Sequence, residues 1–345
     1  MASEATRATP SAAGLTSAGS TRRLLLVFLD GVGIAPADPA VNALAAAGLP
    51  VLRGLLDGLP PTVEALGPHA AATLLGLDAT LGLDGLPQSG TGQTALLTGE
   101  DAPRLFGRHF GPWVPTPLRP VMAGRNILAR ARSAGRTIAF ANAYPEELLD
   151  LAQARAGLAS EASERAGAVE AEVLSRLPGP LRAGPPLAAL GAGALTRHTR
   201  ALERGDAVSS EIVNDGWRQH LARTGVPVIT AGEAGRNLAA IAAAHDLTLF
   251  AHYTTDAAGH HRELPPAIAA IERVDAFLSG LLRALPADVL LVLASDHGNL
   301  EDCRAGHTRN PALFLAAGEG HEEFARGLET LRDVAPSVLR WLGGT

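Results

Sequence analysis

The 345-residue chain contains no lysine: all 29 of its basic side chains other than histidine are arginines, set against 35 acids for a formal charge of −6. Without a net positive balance or a long basic run, nucleic-acid binding has little electrostatic support, and small-molecule chemistry is the better expectation. Cys303 is the only cysteine, which excludes an intrachain disulfide and a thiolate-rich zinc site and suits a reducing, cytoplasmic setting. Aromatic residues are scarce at 4%, but apolar types reach 47% and charged types 19%, an Ala/Leu/Gly-rich globular composition. The apolar run 24–29 falls far short of the roughly 20 residues needed to cross a bilayer. Residues 1–21, rich in Ala, Ser and Thr, lack the apolar core of a secretory signal and read as a disordered tail.

What is present is a set of short apolar runs that end in polar clusters. Leu24-Leu-Leu-Val-Phe-Leu29 runs into Asp30-Gly31, 247–253 into Thr254-Thr255-Asp256, and 287–294 into Ser295-Asp296-His297-Gly298. Continuous apolar runs of this length predict strands buried on both faces. Helical patterns cover 126–133, 234–244, 265–285 and 334–342, with Gly or Pro near several boundaries. Alternating strands and helices predict an α/β fold, a doubly wound, mostly parallel sheet flanked by helices. In such sheets ligands bind outside the carboxyl ends of the strands, where these acids and histidines fall. Composition shifts between 145 and 224, with a Glu/Ala-rich stretch, a Pro-rich loop and Thr196-Arg-His-Thr-Arg200. We read 145–224 as a small inserted cap lobe, and 22–144 with 225–345 as the core. The segments 136–144 and 226–230 flanking it read as core strands.

Each chemical motif has a bland alternative. Asp256-Ala-Ala-Gly-His260 brings an acid and a histidine to one cation if it forms a helical turn, or is a helix cap beside a solvated histidine. Asp30 is equally a turn former beside Gly31. Asp296-His297 is followed ten residues later by His307. Ser89, in Gly85-Leu-Pro-Gln-Ser89-Gly-Thr-Gly, precedes a helical segment and is either its N-cap or a nucleophile. Coordination to a divalent cation would release the hydroxyl proton, and helix N–H groups would stabilise phosphate oxygens. A phosphate-binding loop of the Gly-Lys-Ser/Thr type is excluded, since there is no lysine.

Taken in order, Asp30-Gly31, Ser89 in its Gly-rich setting, Asp256-x-x-x-His260, Asp296-His-Gly-Asn299 and His307-Thr-Arg-Asn-Pro311 resemble the alkaline phosphatase superfamily. The nearest branch in these motifs is cofactor-independent phosphoglycerate mutase, and 331–339 resembles the superfamily's terminal helix. The resemblance implies two divalent metal ions, zinc or manganese, one held by Asp256, His260 and His307, the other by Asp30, Ser89, Asp296 and His297. It also implies Ser89 as nucleophile and a small anionic phosphorylated substrate. Mixed carboxylate and imidazole donors suit those metals.

The chain departs from that branch in three ways. The insert is only about eighty residues, the core lysine is absent, and Gln93 stands where the mutases have a histidine four positions beyond the nucleophile. These departures favour a phosphohydrolase over a phosphomutase, with a catalytically silent metal-binding homologue as a third reading. A sulfatase is disfavoured because the Pro/Arg-containing motif for formylglycine formation is missing. Arg197, His198 and Arg200 either bind an anion or form a solvated basic face. His109 either overhangs the cleft or packs among aromatics, and Cys303 reads as inert.

Overall fold

Successive side chains of β1 (Arg23–Leu29) alternate between two buried layers, which is why its apolar run is unbroken. Leu24, Leu26 and Phe28 join one cluster and Leu25, Val27 and Leu29 another. The computed structural model describes residues 22–152, 154, 174, 176–304 and 306–343; the expected tail at 1–21 lies outside them.

Seven strands form one sheet: β1, β2 (Gly67–Pro68), β3 (Ala72–Leu77), β4 (Ile138–Phe140), β5 (Leu247–His252), β6 (Val289–Ala294) and β7 (Ala312–Ala317), in the order β2-β3-β7-β6-β1-β5-β4. The set β6-β1-β5-β4 is parallel, while β7 runs antiparallel to β6 and β3 to β7. The fold is therefore the expected helix-flanked, mostly parallel α/β sheet. β3 was not anticipated, because Ala72-Thr-Leu-Leu-Gly-Leu77 is interrupted by glycine and threonine.

One layer is built on α1 (Ser89–Thr98), α2 (Gly184–Gly191) and α6 (Val334–Trp341), the other on α3 (Ala231–Ala243), α4 (Thr254–His260) and α5 (Leu264–Ala284). The Thr230 hydroxyl and the Glu233 carboxylate close a capping box at the start of α3, which sets that helix three residues earlier than its apolar pattern suggests. The expected strand at 226–230 does not form. Pro227 lacks a donor N–H and Val228 is 70% exposed, so this stretch is a loop leading into the capping box.

Within 145–224, α2 packs on α1, and Leu187, Ala188 and Ala189 join the same cluster as Leu96 and Met122. Residues 142 and 208 form an isolated parallel bridge beyond the β4 edge.

Candidate metal centre

Three adjacent parallel strands, β6, β1 and β5, end at the same level and deliver their following residues to one crevice. Asp30 follows β1, Asp296 and His297 follow β6, and Asp256 and His260 lie on α4 just after β5. Backbone pairing locks this level, since Asp30 N–H donates to the His252 carbonyl at 3.0 Å. Thr255 Oγ donates to the Asp30 carbonyl at 2.6 Å. Gly31 has a φ of +68°, and a Cβ there would lie 2.5 Å from Asp256 Oδ1, so only glycine lets β1 pass the α4 carboxylate.

Ser89 is the first residue of α1, with Gln88 at the N-cap position and no side-chain cap. The N-cap reading of Ser89 therefore fails by one residue, and its hydroxyl is free for another partner. Ser89 Oγ lies 3.0 Å from His297 Nε2 and is buried. Gly92 brings α1 against the β6 terminus, where a Cβ would meet the Asp296 carbonyl oxygen at 2.6 Å.

The seven expected donors converge in two neighbouring groups. His260 Nε2 is 3.2 Å from Asp256 Oδ2 and 3.2 Å from His307 Nε2, and His307 Nε2 is 3.6 Å from Asp256 Oδ1. His297 Nε2 is 3.3 Å from Asp30 Oδ1, 3.7 Å from Asp296 Oδ1 and 4.0 Å from Asp256 Oδ1. Donors bound tetrahedrally at zinc-like bond lengths are separated by about 3.3 Å; Asp256, His260 and His307 have the spacing of ligands sharing an ion, and so do Asp30, Asp256 and His297, with Asp296 beside the latter group. The His297 and His307 rings stack at 4.0 Å between centroids, joining the two groups.

Neighbouring groups aim these donors. His307 Nδ1 donates to the Pro87 carbonyl at 2.9 Å and His297 Nδ1 to the Gly298 carbonyl at 3.2 Å, which directs both Nε2 atoms inward. Asn299 Nδ2 donates to Asp256 Oδ1 at 2.7 Å. Gln93 Nε2 lies 3.1 Å from Asp296 Oδ2 and 3.4 Å from Asp30 Oδ2, while its Oε1 accepts the Gly184 N–H at 2.8 Å. Glu301, fully buried, accepts from the N–H groups of Gly33 and Asn299 and from Thr308 and Asn310.

The protein groups alone leave the charge of this site unbalanced. Burial, and then Asp296, push the Asp30 carboxyl well above its usual range, and burial with Asp256 raises Asp296. Against burial, Asp296, Asp30 and Asp256 hold His297 up to about 10. Asp256, also against burial, falls to about 2 beside His307, His297, Asn299 and His260. Among the described residues the buried Asp30 Oδ1 accepts no hydrogen bond of good geometry, its neighbour being His297 Nε2 at 3.3 Å. Three carboxylates and three imidazoles around an orphaned oxygen are a donor set suited to divalent cations.

The remaining candidates lie elsewhere. Cys303 is buried, its thiol 3.5 Å from the Leu300 carbonyl and pushed up by burial, so it is no donor to either group. His109 is half-buried with Nε2 3.4 Å from the Leu83 carbonyl, and it lines an open cavity of about 460 Å³ with Gln88 and Arg108. Arg197 and His198 lie near the β4 edge and Arg200 is exposed. Glu301 was missed in the sequence; Gln93 was noticed only as a departure and Asn299 only as part of a motif. A fully buried acid two residues beyond Asn299 carries no periodic signal.

A family model described as the metalloenzyme superfamily matches residues 22–344. The 2,3-bisphosphoglycerate-independent phosphoglycerate mutase of Paracoccus denitrificans (strain Pd 1222) is 38% identical over 127 residues, covering 34% of this chain and 25% of the relative. The phosphopentomutase of Deinococcus radiodurans is 42% identical over 94 residues, 26% of this chain and 24% of the relative. The matched stretch spans about a quarter of the length of each. Among solved structures, a protein from Pyrococcus horikoshii aligns over 94% of this chain and 97% of its own, with 14% identity and a TM-score of 0.51, a likeness of fold.

Proposed function

Because this chain belongs to the metalloenzyme superfamily, we propose that it is a two-metal phosphoryl-transfer enzyme that hydrolyses a small phosphate ester or phosphodiester through Ser89. The observation that carries this reading is the Ser89 hydroxyl 3.0 Å from His297 Nε2, within the crevice where six further donors meet. Two divalent cations, zinc or manganese, held by Asp256, His260 and His307 and by Asp30, Ser89, Asp296 and His297, would supply Lewis-acid polarisation of phosphoryl oxygens and lower the serine's proton affinity.

Ser89 sits at the positive end of α1, where helix N–H groups favour a phosphoryl anion. Its Oγ gives up its proton to solvent and forms a bond to phosphorus while the bond from phosphorus to the leaving oxygen breaks; the leaving oxygen takes a proton from solvent and departs as the alcohol, leaving a phosphoserine. Water then attacks that phosphorus, the bond to Oγ breaks, one water proton restores the Ser89 hydroxyl, and phosphate, or from a diester a phosphomonoester, departs. Asn299, Gln93 and the Pro87 and Gly298 carbonyls keep the carboxylates and imidazoles in register through both displacements. In this reading residues 145–224 form the lobe that selects the substrate.

A phosphomutase is the second reading, favoured by the names of the two relatives, both mutases. It differs only in returning the phosphoryl group from Ser89 to another oxygen of the bound product. Phosphorus NMR of the zinc- or manganese-loaded protein with a phosphomonoester, a phosphodiester and 3-phosphoglycerate separates the two. Free phosphate with solvent oxygen incorporated is expected; migration without free phosphate establishes the mutase. Turnover by Ser89→Ala equal to wild type removes the nucleophile from both, and metal binding without turnover favours a silent homologue.

A further inference from the structure

One cavity lined by described residues lies apart from the metal centre. It has a volume of about 620 Å³ and opens beside the start of β4, where Ile138 pairs with Leu247 at the start of β5. The metal donors follow the other end of β5, about 16 Å further along for a six-residue strand. No residue of either donor group lines this cavity.

Its lining is basic in a protein that is acidic overall. Arg132, Arg136, Arg197 and Arg204 contribute four guanidinium groups and Asp206 the only carboxylate, a formal excess of +3 before His198 and His245 are counted. Two of these guanidiniums are fixed by neutral carbonyls: Arg132 donates to Ala192 at 2.7 Å, and Arg197 donates to Asp206 O at 2.8 Å and to Phe140 O at 3.1 Å. Arg204 pairs with the exposed Asp206 carboxylate at 2.8 Å. Arg136 is half-buried and has no carboxylate partner among the described residues. Guanidiniums held in place by carbonyls keep their charge uncompensated and their remaining N–H forks available, the arrangement that takes phosphate oxygens bidentately.

We propose that this cavity is a binding site for a compact polyanion carrying phosphate groups, distinct from the metal centre. The volume lies in the range of small-ligand sites, and no Phe, Tyr or Trp lines it to stack on a nucleobase, which points to a phosphorylated, non-aromatic molecule. Arg197 and His198, for which the sequence left anion binding and a solvated basic face both open, thereby act at this edge of the sheet. Arg200 is not part of the lining.

Inorganic pyrophosphate is the probe, titrated calorimetrically into the full-length protein at 150 mM salt. The same titration is run on Asp256→Asn, which alters the proposed metal centre, on Arg136→Gln, whose guanidinium has no carboxylate partner among the described residues, and on Arg200→Gln. One-to-one binding is expected in wild type and Asp256→Asn, at least tenfold weaker in Arg136→Gln and unchanged in Arg200→Gln. Binding that vanishes in Asp256→Asn while Arg136→Gln matches wild type overturns the proposal. So does an equal loss in Arg136→Gln and Arg200→Gln, which reports only general surface charge, and so does an absence of binding in wild type.

Discussion

His260 Nε2 and His307 Nε2 face each other across 3.2 Å, although they come from α4 and from the loop between β6 and β7. Two imidazole nitrogens at this separation, both within 3.6 Å of an Asp256 carboxylate oxygen, share one focus rather than two separate hydrogen-bonding partners. Because His307 Nδ1 is committed to the Pro87 carbonyl, the facing atom keeps its lone pair. Replacing His307 with Ala is predicted to lower the bound metal from two ions per chain to one, read by elemental analysis after dialysis. The group of Asp30, Ser89, Asp296 and His297 then retains its ion.

Gln93 ties two carboxylates of the crevice to the N–H of Gly184, the first residue of α2. Its replacement by Leu leaves that buried N–H without a partner and frees both acids. The expected stability loss is about 1–3 kcal/mol by urea unfolding. Metal affinity at the Asp30 and Asp296 group is expected to fall by about 10- to 100-fold, as for other groups that orient ligands, read by competition with a chelating dye.

Glu301 gathers four donors around one buried carboxylate, two of them backbone N–H groups of the turns carrying Gly33 and Asn299. Glu301→Ala strands all four. We expect a loss of at least about 3 kcal/mol in unfolding free energy, and weaker metal retention at His307, whose loop loses its anchors at Thr308 and Asn310. Gln at this position, still an acceptor, restores part of the stability.

His252 is fully buried on β5, with Nδ1 2.7 Å from the Ser210 carbonyl and Nε2 unpartnered. Burial is the main cause of its fall to about 4, aided by the charge of Arg273. An unfolded histidine takes up a proton below about pH 6.5 while the folded one resists until about pH 4, so the stability this group supports is complete above 6.5 and declines as pH falls through that window. The loss at its lower end is on the order of 3 kcal/mol. Urea midpoints measured from pH 7.5 to 4.5 are expected to fall more steeply for wild type than for His252→Leu; equal slopes count against the assignment.

The strands that carry the site were legible because burial on both faces leaves an unbroken apolar run, and an acid directly after such a run stands at a sheet edge. β1 has this form, β6 has it one residue on, and after β5 the acid comes on the first turn of α4, so the candidate donors Asp30, Asp296, His297 and Asp256 all fall at the strands' carboxyl ends. Ser89 and His307 were legible only through motif order, since α1 and the loop beyond β6 reach the crevice by tertiary packing. The 226–230 segment misled because its β-branched residues sit in a loop that Pro227 keeps out of the sheet. Gln93 and Glu301 act through hydrogen bonds to backbone groups far away in the chain, and no local pattern encodes such partners.

Anomalous diffraction from crystals grown with manganese or zinc tests the central claim most directly. Two peaks about 3.5–4 Å apart are expected, one among Asp256, His260 and His307, the other among Asp30, Asp296 and His297 with Ser89 Oγ in its coordination sphere. A single peak, or a pair from which the Ser89 hydroxyl stands apart, contradicts it.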